Sequence, residues 1–415
     1  MYLSRSFLTL ILPLAALPNA YAQNITDPIG RAELAMSALQ KFYNAPTGMW
    51  TGWWNSANVM TVIANLAKVD PNPQLQDLAA RIFANTAAMG PAQNFDPGAE
   101  EPFKKRRIAS GYTKGIDENG IPFTTYPKGW GTPEYAAKNK KFKSRQDAPA
   151  YDPHSWLDGF YDDDLWWALA FLAAYDVTKK VEYLNLGEGI FNGVARVWPS
   201  NCGNGGIYWS KDKKYVNAIA NELFFSTAAH LANRASDPNK YADWAVKSID
   251  WFVASGMINK DGLINDGLKD DCTNNGLQTW SYNQGVILGG LAELYKVRPA
   301  VAYKDLAARL ANASLTTIFD KNNILQDPCG PTCGGDASQF KGIYMRGLQA
   351  LHEVAPDPTY VAAIKANADS VWNNDRDKAN LLSIQWAGPF IDVANATTHS
   401  SAMEALVAAI AVKDE

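Results

Sequence analysis

Helical sequence patterns, with apolar residues on one face of each stretch, fill most of the chain. They predict twelve helices: Ile29–Asn44, Trp53–Val69, Pro71–Ala88, Trp156–Tyr175, Val181–Val197, Ala218–Ala235, Lys240–Ser255, Tyr282–Val297, Ala302–Phe319, Asp336–Val354, Thr359–Asn373 and Thr398–Val412. Most of them end in Gly, Pro, Asn or Asp turns. Strand patterns are weak, and we expect only a small ribbon at Ile207–Trp209.

Twelve helices joined by short turns make six helical hairpins, which predicts an all-α fold of the (α/α)6 barrel type. In such a ring each inner helix buries one face, and loops from several hairpins meet in a cleft at one end. An α-solenoid is the architectural alternative. It is disfavoured because the chain shows no self-similarity at the roughly 34- or 40-residue periods of helical repeats.

One long segment interrupts the helices. Gln93–Tyr151 is rich in Gly, Pro, Lys and Tyr and carries basic clusters at Lys104–Arg107 and Lys138–Arg145. A structureless loop of this length is uncommon in a compact domain and is usually functional or disordered. Two interpretations remain open. Residues 93–151 form an insertion that lies over one face of the domain, close to the aspartates that follow it, or they form a solvent-exposed, mobile loop.

The composition fits one secreted globular domain. The chain has 415 residues, 47% of them hydrophobic, and a net charge of −4, so we expect neither nucleic acid nor a membrane surface as a partner. Residues 1–22 have the features of a signal peptide: Arg5, the apolar run Phe7–Leu17 and the cleavage motif Ala20–Ala22. We expect residues 23–415 to form a single extracellular domain, monomeric and without a membrane span or GPI signal.

The four cysteines fit an oxidising compartment. An even number in a secreted chain predicts two disulfides, for which three pairings are possible. Cys329 and Cys333 flank a Gly-Pro-Thr turn, so we expect this pair and, as the remainder, Cys202–Cys272. The four histidines show no ligand spacing near the cysteines, and we expect neither a metal nor a cofactor. The N-glycosylation acceptors are Asn24, Asn312 and Asn395.

Three consecutive carboxylates, Asp162–Asp164, stand just before Trp166 and Trp167 at the start of a predicted helix. Asp is favoured at helix starts, where it meets free N–H groups and the positive end of the helix dipole, so capping explains one or two of them. Capping does not explain three charges beside two large aromatic residues. Carbohydrate-processing sites combine carboxylates for acid–base or nucleophilic chemistry with aromatic faces for sugar rings.

Other polar clusters fall in loops or at helix starts, as a shared cleft requires. Taken singly, each has a structural explanation in capping, turn chemistry or a solvated face. Together they supply amides, hydroxyls, cations and aromatic rings around the carboxylates, which suits a hydroxyl-rich ligand. The residues that we expect to bind it are Trp54, Asn55, Trp166, Asn217, Asn221, Tyr282, Gln284 and Lys341.

These motifs resemble those of glycoside hydrolase family 76, the endo-α-1,6-mannanases and the related GPI-anchored transglycosidases of fungal cell walls. The motifs are Asp162-Asp163-x-x-Trp166-Trp167, the Asn-Glu-Leu-Phe segment that begins at Asn221, Tyr282-Asn283-Gln284-Gly285 and Phe340-Lys341-Gly342. The resemblance covers the chain from about Ile29 onward, apart from the Gln93–Tyr151 segment, which is not part of the family's common pattern.

The resemblance implies an (α/α)6 barrel and a retaining mechanism, with Asp162 as the nucleophile and Asp163 as the acid/base. Three aspartates compete for these roles, and the two-residue gap before Trp166 selects the first two, leaving Asp164 at a variable position. Neighbouring positions at a helix start are able to hold carboxyl groups at about 5–5.5 Å, the separation that a retaining enzyme needs. Two close carboxylates also raise the proton affinity of one of them.

The function that the resemblance implies is that of a secreted retaining endo-α-1,6-mannanase acting on α-1,6-mannan of cell walls or glycoproteins. One alternative is a transglycosidase that transfers mannose-containing, GPI-type glycans to wall polysaccharide. It uses the same site and differs in whether water or a sugar hydroxyl resolves the intermediate. The other alternative is a non-catalytic mannan-binding protein, which the intact aspartate pair disfavours.

Overall fold

The computed structural model describes residues 25–98, 111–135, 137 and 151–412. The predicted signal peptide 1–22, the acceptor Asn24 and both basic clusters of the insertion lie outside these residues. Twelve α-helices are described in full: α1 (Pro28–Leu39), α2 (Trp53–Val69), α3 (Pro73–Met89), α4 (Tyr161–Thr178), α5 (Val181–Val194), α6 (Ala218–Ala232), α7 (Pro238–Ala254), α8 (Ser281–Val297), α9 (Val301–Thr317), α10 (Phe340–Val354), α11 (Pro358–Asn374) and α12 (Ala396–Ala411).

The helices form two concentric rings. The even-numbered helices α2, α4, α6, α8, α10 and α12 contact one another in that order, and α12 returns to α2, so the inner ring closes. The odd-numbered helices pack outside it, each against an inner helix that is its neighbour in the chain or, for α1, against α12. The prediction of an all-α (α/α)6 barrel is confirmed.

Inner and outer helices differ in how they are buried. Every residue of α6 except His230 is buried, because this helix has the barrel interior on one side and outer helices on the other. Outer helix α7 buries only a stripe that includes Tyr241, Ala245, Ile249 and Phe252, with the three- to four-residue spacing of an amphipathic helix. The core therefore lies between the two rings and within the inner one.

Outer helices begin with a repeated signal. Helices α1, α3, α7 and α11 each start with a proline that follows a capping Asp or Asn, whose side chain accepts a hydrogen bond from a backbone N–H of the first turn. Inner helices α2, α4, α8 and α10 begin without such a side-chain cap. Some of their first-turn N–H groups bind side chains from distant parts of the chain instead: Trp53 donates to the hydroxyl of Tyr126, and Ser281 donates to Asp327.

The described strands lie within the insertion. β1 (Thr113–Ile116) and β2 (Pro122–Thr125) form an antiparallel ribbon in which Thr113 pairs with Thr125. The prediction of a ribbon at Ile207–Trp209 is wrong. The backbone N–H and carbonyl of Ile207 bind the amide side chain of Asn221 at 2.7 and 2.9 Å, so a side chain takes the place of a strand partner.

Both predicted disulfides are confirmed. Cys202–Cys272 joins the loop before α6 to the loop before α8, and Cys329–Cys333 closes a small loop before α10. Both crosslinks therefore hold loops that lead into inner helices, at the end of the barrel where the cleft is expected. Among the described residues, no helix combines the length and apolarity that a membrane span requires.

Candidate active site

The three aspartates lie in the first turn of α4, at the end of the barrel where the inner helices begin. Asp162 keeps 6% of its surface exposed, and Asp163 and Asp164 are fully buried. Asp164 accepts a hydrogen bond from the backbone N–H of Asp158 at 2.8 Å and so holds the loop that enters the helix. This contact gives Asp164 a structural role.

A lysine that no sequence pattern marks contacts both of these aspartates. The ammonium of Lys114, on β1, lies 2.9 Å from Asp162 Oδ2 and 2.5 Å from Asp163 Oδ1. The two oxygens are therefore at most about 5.4 Å apart, the sum of 2.9 and 2.5 Å. Tyr112 donates its hydroxyl to the other oxygen of Asp163 at 3.1 Å. We call Asp158, Asp162, Asp163 and Lys114 the mouth cluster.

The carboxylates of the mouth cluster outnumber its cation, and the pKa values of two of them, Asp158 and Asp163, are raised. Burial raises the pKa of Asp163 well above its usual range; Lys114 opposes this shift, and the charges of Asp162 and Asp158 add to it. Burial also raises the pKa of Asp158, to about 7. A carboxyl group that keeps its proton near neutral pH is suited to act as a general acid.

Lys114 itself stays charged. Burial alone would lower its pKa, but the charges of Asp162 and Asp163 outweigh burial and raise the pKa above its usual value. The ammonium also lies 5.3 Å from the ring centre of Phe160 and 5.5 Å from that of Trp209. The cation is therefore enclosed by two carboxylates and two aromatic rings.

Trp54 and Trp166 stack on each other beside the mouth cluster, with ring centres 5.9 Å apart. Trp54 donates its indole N–H to Asp336 Oδ1 at 2.9 Å, and Thr124 of β2 donates its hydroxyl to the other oxygen of Asp336 at 2.7 Å. The guanidinium of Arg346 lies 5.6 Å from the ring centre of Trp166. The structure therefore brings both predicted tryptophans together at the cleft, where both are almost fully buried.

Tyr282 lies on another side of the cleft. Its ring stacks on Phe340 with a centre-to-centre distance of 3.8 Å. Burial raises the pKa of Tyr282 well above its usual range, and the charges of Asp266 and Asp162 add to the effect. Asp266 accepts a short hydrogen bond from the hydroxyl of Tyr215. Aromatic and acidic groups thus line the cleft next to Asp162.

Three of the predicted ligand-binding amides have structural partners instead. Asn217 caps α6 by accepting from the N–H of Ala220 at 3.3 Å. Asn221 binds the backbone of Ile207, as described above, and Gln284 binds both backbone groups of Ile264 in the same way at 2.9 Å. These hydrogen bonds hold the loops that precede the inner helices.

Asn55 and Lys341 also make contacts within the barrel. Asn55 donates its amide to Gln339 Oε1 at 3.0 Å, which joins α2 to the turn before α10. Lys341 donates to the carbonyl of Ile384 at 2.6 Å, and its ammonium lies 4.5 Å from the ring centre of Trp386. Neither residue contacts the mouth cluster in this structure.

Two further polar residues lie inside the ring. Glu222 of α6 and Asn283 of α8 are fully buried, and among the described residues their side-chain oxygen and nitrogen atoms find no hydrogen-bond partner. Burial raises the pKa of Glu222 well above its usual range, and the charge of Asp266 adds to this. Buried polar groups without partners are rare in proteins and require an explanation such as water or ligand. Both residues fall within the sequence motifs, which gave them no role.

Within the ranges that the structure describes, no group of three His, Cys, Asp or Glu side chains is placed to hold a metal ion. The carboxylates of the mouth cluster are instead arranged around an ammonium.

The sequence profile of glycosyl hydrolase family 76 matches residues 132–415. A putative mannan endo-1,6-alpha-mannosidase of Schizosaccharomyces pombe is 28% identical to the chain over 249 residues, which cover 52% of the chain and 56% of that relative. The chain spans about half of the length of the curated relatives that it matches.

Solved structures share the fold. One is an inactive variant of alpha-1,6-mannanase GH76A from Salegentibacter sp. HEL1_6, with two consecutive aspartates changed to asparagine and alpha-1,6-mannotriose bound. It matches with a TM-score of 0.67 and 16% identity, over 92% of this chain and 99% of that chain. Dfg5 from Chaetomium thermophilum, in complex with glucosamine, matches with a TM-score of 0.69 and 18% identity, over 94% and 92% of the two chains.

Proposed function

The chain belongs to glycosyl hydrolase family 76, and from this premise we propose that it is a secreted, retaining endo-α-1,6-mannanase. The observation that carries the proposal is the Asp162–Asp163 pair, whose facing oxygens lie at most about 5.4 Å apart, the sum of 2.9 and 2.5 Å. Retaining glycosidases hold their carboxyl groups about 5–5.5 Å apart, whereas inverting ones need about 6.5–9.5 Å to admit water. The two disulfides support secretion, because such crosslinks persist mainly outside the cytosol.

In this proposal Asp163 is the acid/base and Asp162 the nucleophile. Asp163 protonates the glycosidic oxygen as its bond to the anomeric carbon breaks, while Asp162 attacks that carbon and forms a glycosyl ester. Asp163, now ionised, takes a proton from water, whose oxygen attacks the anomeric carbon and releases Asp162. Two inversions leave the α configuration. The raised pKa of Asp163 supports its role, because the acid must enter the first step protonated.

The proposed substrate is α-1,6-linked mannan. The similar Salegentibacter enzyme is an alpha-1,6-mannanase that binds alpha-1,6-mannotriose. In the present chain the rings of Trp54, Trp166 and Tyr282 and the carboxylates of Asp266 and Asp336 lie around the aspartates, each of them paired with a neighbouring group of the protein. Stacking surfaces combined with a few polar groups are typical of carbohydrate sites.

The test is product analysis on linear and branched α-1,6-mannan, with and without an added acceptor oligosaccharide, read by chromatography. Short α-1,6-mannooligosaccharides that form independently of the acceptor are the expected result. Transfer products that accumulate with the acceptor would instead establish the transglycosidase, and binding without any new product would establish a mannan-binding protein. Asp162→Asn serves as the control without a nucleophile.

A further inference from the structure

The ribbon of the insertion lies directly on the cleft. We call residues 112–126 the mouth ribbon. At its second strand, Thr124 donates to Asp336, next to the start of α10. Beyond the strand, the hydroxyl of Tyr126 accepts from the backbone N–H of Trp53, the first residue of α2, at 2.8 Å. The mouth ribbon therefore bridges the starts of inner helices on different sides of the ring.

The tip of the mouth ribbon reaches a third side. Gln278, in the loop before α8, donates its amide to the carbonyl of Asn119 at 2.8 Å. Gly120 fits closely there, because a Cβ at this position would come within 2.4 Å of the Gln278 side chain. With Lys114 on the start of α4, the mouth ribbon contacts four segments that lead into or begin inner helices.

The aspartate pair is sealed beneath this ribbon. The side chains of Lys114, Asp162 and Asp163 are 4%, 9% and 0% exposed. In a reactive complex the anomeric carbon approaches the nucleophile to about 3–3.5 Å. The ammonium of Lys114 already lies 2.9 Å from Asp162 and 2.5 Å from Asp163, so a sugar and this ammonium are unable to occupy the space together.

The chemistry of the reaction explains why a cation fits here. The transition state of glycoside cleavage resembles an oxocarbenium ion, with positive charge next to the nucleophile. Two carboxylates arranged to stabilise that charge also attract an ammonium. Lys114 therefore makes, without substrate, the type of interaction that the site is built to make with the reacting sugar.

We propose that the mouth ribbon is an intramolecular inhibitor, in which Lys114 occupies the place of the reacting mannose and mannan enters only when the ribbon is displaced. The identity of the excluded sugar rests on the proposed function above. A tethered competitor acts at a high effective concentration, of the order of mM for a short flexible linker. Displacement is feasible because an isolated two-stranded ribbon is only marginally stable.

The deciding experiment compares Lys114→Ala with Lys128→Ala, which removes an exposed lysine of the same insertion. Removing a competitor increases the binding-competent fraction and so lowers the apparent Kd. We expect Lys114→Ala to lower the Kd for α-1,6-mannotriose, measured by calorimetry, and the KM for mannan at least about tenfold, with kcat retained. Lys128→Ala should match the wild type.

Other results would overturn the inhibitor. A lower kcat in Lys114→Ala would make Lys114 part of the productive site, and an unchanged or raised Kd would show that it does not compete with substrate. A second variant, in which a short Gly/Ser linker replaces residues 99–150, tests the same inhibitor independently in case Lys114→Ala does not fold. The linker has a short path to span, because Gly98, the residue before it, donates its N–H to the carbonyl of Leu157, which lies six residues beyond Tyr151, at 3.0 Å. The same lowering of Kd is expected.

A readout without substrate separates this inference from the proposed function. Carbodiimide coupling of glycine ethyl ester, mapped by mass spectrometry, reports whether Asp162 and Asp163 are accessible. We expect labelling to rise several-fold in Lys114→Ala and to stay at the wild-type level in Lys128→Ala. If labelling rises but no variant binds or cleaves mannan, the inhibitor stands and the proposed function fails. Equal labelling in wild type and Lys114→Ala would refute the inhibitor, whatever the substrate.

Discussion

Two buried ionic clusters lie at opposite ends of the inner ring, and they differ in how their charges are balanced. The mouth cluster places several carboxylates around a single lysine supplied by the insertion. At the other end, Arg234 binds Asp176 through two N–H···O bonds of 2.9 and 2.8 Å and reaches Glu293 at 2.8 Å. We call Arg234, Asp176 and Glu293 the rear cluster.

Carboxyl pKa values shift in opposite directions in the two clusters, upward for Asp158 and Asp163 and downward for Asp176 and Glu293. Burial would raise the pKa of Asp176, but the hydrogen bonds and charge of Arg234 outweigh it and lower the pKa. The pKa of Glu293 is lowered too, against the effect of burial, by His230 and Arg234. In the mouth cluster burial prevails and the pKa values of Asp158 and Asp163 rise. Carboxylates that are stabilised by a paired cation suit a structural role, whereas carboxyl groups with raised pKa values are typical of catalytic sites.

The largest effect on the mouth cluster is expected from Asp162→Asn. The amide is unable to form a glycosyl ester, so turnover of α-1,6-mannan should fall to the detection limit. Asp164→Asn is the matched control in the same first turn of α4. It should keep most activity because its remaining oxygen still accepts from the N–H of Asp158. An inactive Asp164→Asn beside an active Asp162→Asn would show that the assignment is out of register.

Asp163→Asn should slow mannan hydrolysis by about 10²–10⁴-fold, since general acid–base help is lost. Substrates with good leaving groups should regain part of the rate, because their departure needs no proton. Azide should then intercept the glycosyl–enzyme and give an α-glycosyl azide, detectable by NMR. If good leaving groups bring no relative gain, Asp163 is not the acid.

Mutations in the rear cluster should lower the free energy of unfolding. Arg234→Met removes the main partner of Asp176 and one of two cations that contact Glu293, which keeps Lys296 at 2.8 Å; the change should cost up to about 3–5 kcal/mol of unfolding free energy in denaturant titrations. Lys68→Met is the matched control, because Lys68 is 46% exposed and lies 3.6 Å from the same Asp176. It should cost at most about 1 kcal/mol. Equal losses of unfolding free energy in the two variants would show that Arg234 contributes no more to stability than the exposed Lys68 does.

A smaller effect is expected in how the stability of the mouth cluster depends on pH. Asp158 has a pKa of about 7 in the folded protein against an ordinary value of 3.8, so between these values the unfolded chain binds fewer protons and stability falls as pH rises. Asp158→Asn does not titrate and keeps an oxygen to accept from the N–H of Phe160. Relative to wild type it should gain on the order of 3 kcal/mol of unfolding free energy from pH 4 to pH 7. Denaturation across this range gives the difference, and a flat or falling difference would argue against a raised pKa.

Much of the barrel is predictable because its signals are local. Helix starts such as Asp237-Pro238 and Asp357-Pro358 combine a cap with a proline, and four of the six outer helices share this start. The disulfide pairing was also predictable, since the two nearest cysteines close a turn and leave one pair. The aspartate pair is marked by its own motif before Trp166.

The contacts of the inserted ribbon with the barrel were not predictable. The Lys114 pairs span 48 and 49 residues and depend on how an inserted ribbon folds back onto the barrel, which no local pattern encodes. Asn221 and Gln284 were predicted to bind ligand from residue type, yet their amides bind loop backbone instead. A polar side chain in a motif indicates a hydrogen bond, and only the fold decides whether protein or ligand supplies the partner.

The central claim, that Asp162 and Asp163 at the mouth cleave α-1,6-mannosidic bonds with retention, is tested most directly by the configuration of the first product. NMR spectra of the anomeric protons, recorded during the first minutes of mannan hydrolysis and before mutarotation, give this configuration. The account predicts that the α-anomer appears first and that the β-anomer grows in later. A β-anomer as the first product would contradict it.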